Sequence, residues 1–300
     1  MTATPQTGDV SPLPAEATVS VVIPTLNEAA NLSHVLPRIP GWVDQVVLVD
    51  GGSTDGTVER ARHLWPDIEV VVHPVRGKGA ALRRGFEAAT GDIIVMLDAD
   101  GSMDPGEIRS FVAALAGGAD FAKGSRFVHG GGTSDMEWYR RAGNLLLTRL
   151  VRVGFGGRYS DLCYGYNAFW RDAVDRLGLD ADGFEIETLM NIRALRAGLT
   201  VAEVASYEAP RVHGTSNLNT VVDGWRVLRT IARERLWRHP LPEPVIDLRH
   251  QRARVAVPPA DHRLAGIERP SARRGLAVRR GIDGRRGLSS RPIRPAVADT

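Results

Sequence analysis

Two aspartates separated by one small residue follow a strongly apolar run in the stretch "IIVMLDADGS", Ile93 to Ser102. Such a run predicts a buried strand, and Asp98 and Asp100 come directly after it. Carboxylate oxygens at this spacing can hold a divalent cation, and oxygen ligands suit Mg²⁺ or Mn²⁺. The alternative is an acidic turn between a strand and a helix that binds no metal.

The first hundred residues alternate between apolar runs and helical patterns. We predict strands at residues 19–24, 45–50, 68–73 and 92–97, with helices at 28–39, 54–65 and 77–90 between them. This alternation predicts parallel strands joined by right-handed crossovers, in a sheet covered on both faces. Ligands bind beyond the carboxyl ends of such strands. Asp50, His73 and Asp98 are predicted to lie at that edge.

The rest of the chain is less regular. We predict helices at residues 105–115, 136–153, 185–197 and 220–237, and strands within "ADFAKGSR" and "YGYNAFW". The segment "RHPLPEP" ends the predicted folded region. We therefore expect a disordered leader at residues 1–17, one α/β domain at 18–240 and a disordered, Arg-rich tail at 241–300.

Charge is unevenly distributed along the chain. Residues 249–300 contain 13 Arg and 4 Asp or Glu, a balance of +9, whereas the whole chain carries +3. This segment lacks Phe, Trp and Tyr, so it cannot bury enough apolar surface to offset its ordering entropy. A basic tail of this kind can contact anionic lipid. A merely solvated tail is the alternative, and we do not expect nucleic acid as a partner.

No run approaches the roughly eighteen apolar residues that a membrane span needs, and residues 1–17 lack the pattern of a secretory signal. Cys163 is the only cysteine, which excludes an intrachain disulfide and suits a reducing compartment. We expect a cytoplasmic protein. The apolar stripe of residues 225–237 fits peripheral contact with the inner face of the plasma membrane, and it fits packing on the sheet equally well.

Four motifs occur in order: "VVIPTLNE", "VVLVDGGSTDGT", "GKGAALRRGFEAATGD" and "VMLDADGS". Together they resemble family 2 glycosyltransferases of the GT-A fold, which are inverting enzymes that use nucleotide-diphosphate sugars. The segments "KGSRF", "GYNAFW", "GFEIE" and "RVHGTSN" are most similar to dolichyl- or polyprenyl-phosphate sugar synthases. The resemblance covers residues 19–237 and implies a single Rossmann-like, mostly parallel sheet flanked by helices.

On the donor side, the resemblance matches Asp98 and Asp100 to the family's D-x-D motif, which implies a Mg²⁺ or Mn²⁺ ion against the donor diphosphate. Ser102 and His213 are further metal-ligand candidates, although a lone histidine is also a common structural residue. The remaining donor-binding candidates match positions that line the nucleotide or its phosphates: Pro24, Leu26, Glu28, Asp50 and Lys78. A helix-start carboxylate at Glu28 and a solvated Lys78 are the structural alternatives.

On the acceptor side, three residues have side chains that suit an anionic group: Arg126, Arg211 and Ser216. Asp100 and Glu187 are the catalytic candidates. A phosphate acceptor is already anionic and needs only positioning, whereas a hydroxyl acceptor needs a base. Glu185, Glu187 and Asp161 are the base candidates in that case, with helix capping as the alternative role of the two glutamates.

We therefore expect metal-dependent, inverting transfer of a sugar from a donor of the GDP-mannose or UDP-glucose type to polyprenyl phosphate. Transfer to a soluble hydroxyl or to a small phosphorylated acceptor is the main alternative. A degenerate, non-catalytic binding protein is the remote one. A sugar-1-phosphate nucleotidyltransferase would carry a Gly-rich, Arg-containing loop after the first strand, where this chain has "PTLNE".

Overall fold

The computed structural model describes residues 17–74, 77–134, 136–216, 218–236 and 241. The predicted leader and tail lie outside the described residues, apart from Ala17 and Leu241. Their predicted disorder and the domain limits therefore stay predictions.

A seven-stranded sheet forms the centre of the fold. Its strands are β1 (Val19–Thr25), β2 (Gln45–Asp50), β3 (Glu69–Val72), β4 (Ile93–Met96), β5 (Phe121–Ser125), β7 (Asn167–Trp170) and β8 (Val201–Ala205). They lie in the order β3-β2-β1-β4-β7-β5-β8. β7 runs antiparallel to β4 and β5, and the other neighbours are parallel. The predicted α/β class with a mostly parallel sheet is confirmed.

Helices flank this sheet. They are α1 (Ala29–Val35), α2 (Thr57–Leu64), α3 (Lys78–Ala88), α4 (Ile108–Ala116), α5 (Trp138–Phe155), α6 (Arg171–Asp175), α7 (Ile186–Arg196) and α8 (Thr220–Leu236). Two short strands, β6 (Gly132–Thr133) and β9 (Tyr207–Glu208), pair with each other outside the main sheet. Among the described helices, none is both long enough and apolar enough to span a membrane.

Both faces of the sheet are covered, as the continuous apolar strands predict. Val21, Val22 and Ile23 are successive residues of β1 and are all 0% exposed, although their side chains alternate between the two faces. The main core therefore lies on both sides of the sheet. A second, smaller cluster lies among α5, α7 and α8 and contains Val151 and Ile192.

The predicted elements differ from the observed ones mainly at their ends. The helix that was predicted from Thr54 or Asp55 begins at Thr57, after Gly56 with a φ of 85°, and the Asp55 carboxylate accepts the Thr57 backbone N–H at 3.0 Å. The first turn of the helix predicted at 105–115 is a 3₁₀ turn, Pro105–Glu107. β8 was not predicted, because its short sequence "VAEVA" lies at the sheet edge, is only partly buried and lacks a long apolar run.

Candidate active site

The carboxyl ends of β1, β2 and β4 meet at one edge of the sheet, because these strands are parallel neighbours. Thr25 and Asp50 end the first two strands, and Asp98 follows β4 after Leu97. A cavity of about 880 Å³ opens at this edge, a size typical of small-molecule sites. It therefore lies where ligands bind in parallel α/β sheets.

The two aspartates of the apolar run both line this cavity, with the buried Ala99 between them. The Asp100 carboxylate accepts the Ser102 backbone N–H at 3.0 Å and lies 3.5 Å from the Arg211 guanidinium. The side chains of Asp98 and Asp100 are 26% and 19% exposed. Both carboxylates thus remain accessible from the cavity.

Lys78 lies between two carboxylates. Its ammonium is 2.7 Å from Asp98 Oδ1 and 2.8 Å from Glu187 Oε1. Burial raises the pKa of Asp98 and of Glu187, and a neighbouring carboxylate adds to this, against the lowering effect of Lys78. Burial lowers the pKa of Lys78, but its two partners outweigh burial and hold that pKa above its usual range. The three groups therefore form one charge cluster.

Glycines provide the space for this cluster. A Cβ atom on Gly165 would lie 2.7 Å from Glu187 Oε1 and 2.8 Å from Lys78 Nζ, so a side chain at this position would force these charged groups to shift. Gly77 has a φ of 130° and precedes Lys78, where the start of α3 packs against the backbone of Asp182. The glycines flanking Lys78 therefore make room for the chain that leads into α7 and carries Glu187.

Arg211 links the acidic loop to the first helix. It donates to both carboxylate oxygens of Glu28, at 2.9 and 3.0 Å, besides its contact with Asp100. Glu28 is buried and also accepts the Asn31 side-chain amide at 2.5 Å. The backbone N–H of Val212 donates to the Asp100 carbonyl at 3.1 Å. The segment around Arg211 is thus held against Asp100 and Glu28.

Arg126 is almost wholly buried and already neutralised. Its guanidinium donates to the Asp161 carboxylate at 2.7 and 2.9 Å and to Glu208 at 3.0 and 3.1 Å. It also lies 4.7 Å from the centre of the Tyr164 ring. Burial raises the pKa of Asp161, but Arg126 outweighs it and holds that pKa below its usual range. The predicted contact of Arg126 with an acceptor stays a prediction.

The cavity brings together eleven of the thirteen predicted site residues. They are Pro24, Leu26, Glu28, Lys78, Asp98, Asp100, Ser102, Arg126, Glu187, Arg211 and Ser216. Asp50 does not line it, since its buried carboxylate accepts the backbone N–H groups of Gly52 and Ser53 at 3.0 and 2.9 Å. His213 is exposed and does not line it either; its ring lies 5.5 Å from that of His34. The proposed roles of both remain predictions.

Sequence reasoning missed several lining residues, among them Arg140 on α5, Arg226 on α8 and Phe184 before α7. Arginine accounts for all but two of the 38 basic residues, so no sequence signal distinguished Arg140 and Arg226 from the others. Gly165 was missed as well. A glycine within a strand-like stretch often marks a close approach of neighbouring groups, and this was the available signal.

The aspartate pair suits a hard divalent cation. Within the described residues, no group of three or more His, Cys, Asp or Glu side chains is arranged to hold a metal ion. A cation bound here would therefore take Asp98 and Asp100 and complete its ligands with water and diphosphate oxygens, which fits Mg²⁺ or Mn²⁺. Ser102 lines the cavity beside the pair.

Among curated proteins, the chain is 31% identical over 233 residues to glycosyltransferase AglJ of Haloferax volcanii, with 76% of each chain covered. It is 33% identical over 212 residues to the polyprenol monophosphomannose synthase of Mycolicibacterium smegmatis, covering 66% of this chain and 80% of that protein. The first of these relatives is named a glycosyltransferase, and the second is named a synthase of polyprenol monophosphomannose.

Among solved structures, the chain resembles glucosyl-3-phosphoglycerate synthase from Mycobacterium tuberculosis in complex with phosphoglyceric acid. The TM-score is 0.59 at 28% identity, covering 73% of this chain and 80% of that chain. A structure of the same synthase with Mn²⁺, UDP and glucosyl-3-phosphoglycerate matches with a TM-score of 0.55 at 29% identity and the same coverage. The family model described as "Glycosyl transferase family 2" matches residues 20–178, which contain the aspartate pair and Lys78. The chain therefore belongs to glycosyl transferase family 2 and is a glycosyltransferase.

Proposed function

We propose that this enzyme transfers a sugar from a nucleotide-diphosphate donor to polyprenyl phosphate, with inversion at the anomeric carbon and with Mg²⁺ or Mn²⁺. The observation that carries the proposal is that one cavity holds Asp98 and Asp100 together with several arginines. Two carboxylates and a diphosphate repel one another unless a cation bridges them. The arginines supply sites for a second anionic group.

The donor lies at the sheet edge in this proposal. Pro24, Leu26 and Gly51 line the cavity beside the ends of β1 and β2 and provide the surface for the nucleoside. Lys78, at the N-terminus of α3, faces the diphosphate. A divalent cation held by Asp98 and Asp100 would neutralise the charge on the departing nucleoside diphosphate. Asp98 is held for this purpose by its contact with Lys78.

The acceptor phosphate lies on the arginine-lined side. Arg140 and Arg226 line the cavity. Arg226 makes an ion pair with Asp223, and its side chain is 55% exposed, whereas Arg126 is buried between Asp161 and Glu208. Arg140 and Arg226 therefore suit the acceptor better than Arg126. Arg211 lies between the two halves, because it contacts Asp100 and Glu28. It can hold the acceptor phosphate against the donor. Ser216 adds a hydroxyl donor at the same rim.

An acceptor phosphate oxygen attacks the anomeric carbon from the face opposite the diphosphate. The new carbon–oxygen bond forms as the bond to the diphosphate breaks, and the nucleoside diphosphate leaves with the electron pair. The phosphate is anionic near neutral pH, so this step requires positioning and no general base. Glu187 then acts by holding Lys78, with which it makes a 2.8 Å ion pair.

A small phosphorylated acceptor is the second candidate. It is supported by the structural likeness to glucosyl-3-phosphoglycerate synthase, which was crystallised with phosphoglyceric acid. An acceptor that reacts through a hydroxyl needs a base. Glu187 is then the candidate, because it lines the cavity and burial raises its pKa. Asp161 is a poorer base, because Arg126 holds its pKa low.

The test is transfer of labelled sugar from a panel of nucleotide sugars, with Mn²⁺ or Mg²⁺ and polyprenyl phosphate. Label in the organic phase that requires metal supports the proposal, and its loss in Asp98→Ala/Asp100→Ala ties it to the site. Asp104→Asn is the matched control, since its exposed carboxylate pairs with Arg38 outside the cavity. Label only in a water-soluble product with phosphoglycerate would refute the lipid acceptor. If none of the donors is turned over in a metal-dependent way, the whole proposal is refuted.

A further inference from the structure

Two helices turn an apolar face towards solvent. On α5, the outward side chains include Trp138, Leu145, Leu146, Leu150 and Val153, of which Leu145 is 68% and Val153 is 80% exposed. These positions fall on one side of the helix, given its 3.6-residue period. This outward stripe is the reverse of the usual pattern, in which the exposed face of a helix is polar.

The outward face of α8 has the same character. Val221, Trp225 and Leu236 are 81%, 68% and 77% exposed. The sequence prediction of an apolar stripe on this helix also included Ile231, but that side chain is buried. The helix thus has two apolar faces, one packed inward and the other open to solvent.

The outward residues of α5 and α8 do not take part in the hydrophobic core. The inward residues of the two helices form the smaller core cluster together with Ile192 of α7 and with Tyr159 and Leu162, which follow α5 in the chain. These inward residues are Leu147, Val151, Val227 and Ile231. The two helices pack against each other as well. The outward stripes therefore lie side by side as one exposed apolar surface, of a kind that marks interaction sites in soluble proteins. We call this surface, formed by the outward faces of α5 and α8, the apolar platform.

The exposed charges on the two helices themselves are positive, and the exposed Glu137 directly before Trp138 is an acidic neighbour. α5 contains four arginines and no acidic residue. α8 contains four arginines and two acidic residues, Asp223 and Glu234. Both acids are buried and are paired with arginines. The exposed surface of the two helices therefore combines apolar side chains with positive charge only.

This combination favours an anionic lipid surface over a second copy of the chain. Two copies joined through the platform would bring two sets of arginines together, which is unfavourable. An anionic bilayer offers phosphate and carboxylate groups to the arginines and an apolar interior to the leucines and tryptophans. Tryptophan side chains are typical of the membrane–water interface.

The platform also reaches the active-site cavity. Arg140 of α5 and Arg226 of α8 both line it, and Leu218, just before α8, lines it as well. A surface that received the platform would therefore lie next to the side of the cavity that carries these arginines.

We propose that the apolar platform docks the enzyme on an anionic phospholipid bilayer, with the arginine-lined side of the cavity next to the headgroups. The proposal goes beyond the transfer reaction, because it depends on the two helix faces and not on the identity of the acceptor. The partner that covers the platform in this proposal is the lipid bilayer.

The test is flotation of the full chain with vesicles of phosphatidylcholine containing about 30% phosphatidylglycerol, at about 0.15 M salt. The wild type floats with these vesicles. Leu145→Asp/Val153→Asp lowers the apparent partition coefficient by at least about tenfold for each apolar side chain withdrawn. Val72→Asp is the matched control, because Val72 is a 64% exposed valine on β3, outside the platform. Its partition coefficient stays within about twofold of the wild type.

The Arg-rich segment at residues 249–300 is retained in every variant, so its own attraction to the vesicles stays constant. A second variant, Arg149→Glu/Arg152→Glu, keeps the apolar side chains and removes charge complementarity, so its binding falls as well. Brominated phosphatidylcholine quenches the fluorescence of Trp138 and Trp225, and the quenching is lost in Trp138→Phe/Trp225→Phe. Melting temperatures show that each variant is folded.

Flotation of Leu145→Asp/Val153→Asp equal to that of the control would overturn the proposal, since the binding would then come from elsewhere in the chain. Absence of flotation in the wild type would overturn it as well. A dimeric wild type that does not float and becomes monomeric in the aspartate variant would assign the platform to a contact between copies. None of these outcomes depends on sugar transfer, so the platform and the proposed reaction fail or succeed separately.

Discussion

Replacement of Lys78 by methionine tests whether the charge cluster at the cavity is a single energetic unit. Methionine keeps most of the volume of the side chain and removes its charge. The change leaves Asp98 and Glu187 without the ammonium that lies 2.7 and 2.8 Å from them. The side chains of Lys78 and Glu187 are only 11% and 7% exposed, so water replaces the lost partner poorly.

The size of the effect follows from this burial. Removal of one member of a buried ion pair costs about 3–5 kcal/mol, because the other charge is left uncompensated. Asp98 is 26% exposed, which lets water recover part of this loss. We therefore expect Lys78→Met to lower the free energy of unfolding by about 3 kcal/mol.

A double-mutant cycle separates the charge effect from lost packing. Glu187→Gln alone leaves Lys78 with Asp98 and costs about 1 kcal/mol. If the uncompensated charge dominates, Lys78→Met/Glu187→Gln costs less than the sum of the single changes, by about 2 kcal/mol. The measurement is urea unfolding of the four proteins without nucleotide or metal, so that no ligand contributes to the stability.

The control cycle uses the pair of Arg84 and Glu87 on the same helix. These side chains also form an ion pair but are 53% and 62% exposed. Their coupling should lie below about 0.5 kcal/mol. A coupling between Lys78 and Glu187 no larger than that of the exposed pair would refute the reasoning that one lysine neutralises both site carboxylates.

Three further predictions concern single positions. Gly165→Ala places a methyl group against the lysine–carboxylate cluster and should lower the transfer rate about a hundredfold. The control Gly143→Ala meets nothing within 4 Å and should leave the rate unchanged. Equal rates of the two variants in an initial-rate assay would contradict the close contact. Glu234→Gln breaks the buried contact with Arg193 and should cost about 3 kcal/mol at neutral pH. Because Arg193 holds the pKa of Glu234 below its ordinary value of 4.5, this stabilisation is present above pH 4.5 and is lost as the pH falls through the lowered pKa. The melting temperatures of the wild type and Glu234→Gln should therefore converge in acid. A difference between the two melting temperatures that does not change with pH would contradict the pairing. Burial raises the pKa of Cys163 to about 12, so iodoacetamide should alkylate it at pH 8 about a thousandfold more slowly in the folded protein than in urea, as mass spectrometry can measure.

The order of strands and helices could be read from the sequence, because it depends on local pattern. The apolar runs around Val22, Val47 and Ile94 became parallel neighbours in the sheet. The position of Asp98 at the sheet edge followed from the end of its own strand. The antiparallel direction of β7 could not be predicted in this way, because pairing direction depends on the path of the chain between strands.

The partners of the charged residues were beyond local pattern. The contact of Arg126 with an anionic acceptor stays a prediction, whereas its ion pairs with Asp161, 35 residues away, and with Glu208, 82 residues away, could not be read from the sequence. Arg211 was expected on the acceptor side and also holds Glu28, 183 residues distant. A sequence shows that an arginine is present, but only the fold shows whether its charge is already matched.

The charges that remain unmatched give a physical reason for the family's two aspartates. Four carboxylates and two cationic side chains lie in contact at the cavity: Glu28, Asp98, Asp100, Glu187, Lys78 and Arg211. The formal charges of these six side chains add up to −2. A nucleoside diphosphate would be repelled by this cluster, whereas a divalent cation would cancel its charge. Lys78 and Arg211 therefore hold the two aspartates in place in the folded protein but leave this contact cluster negative, which favours a metal ion beside a bound diphosphate.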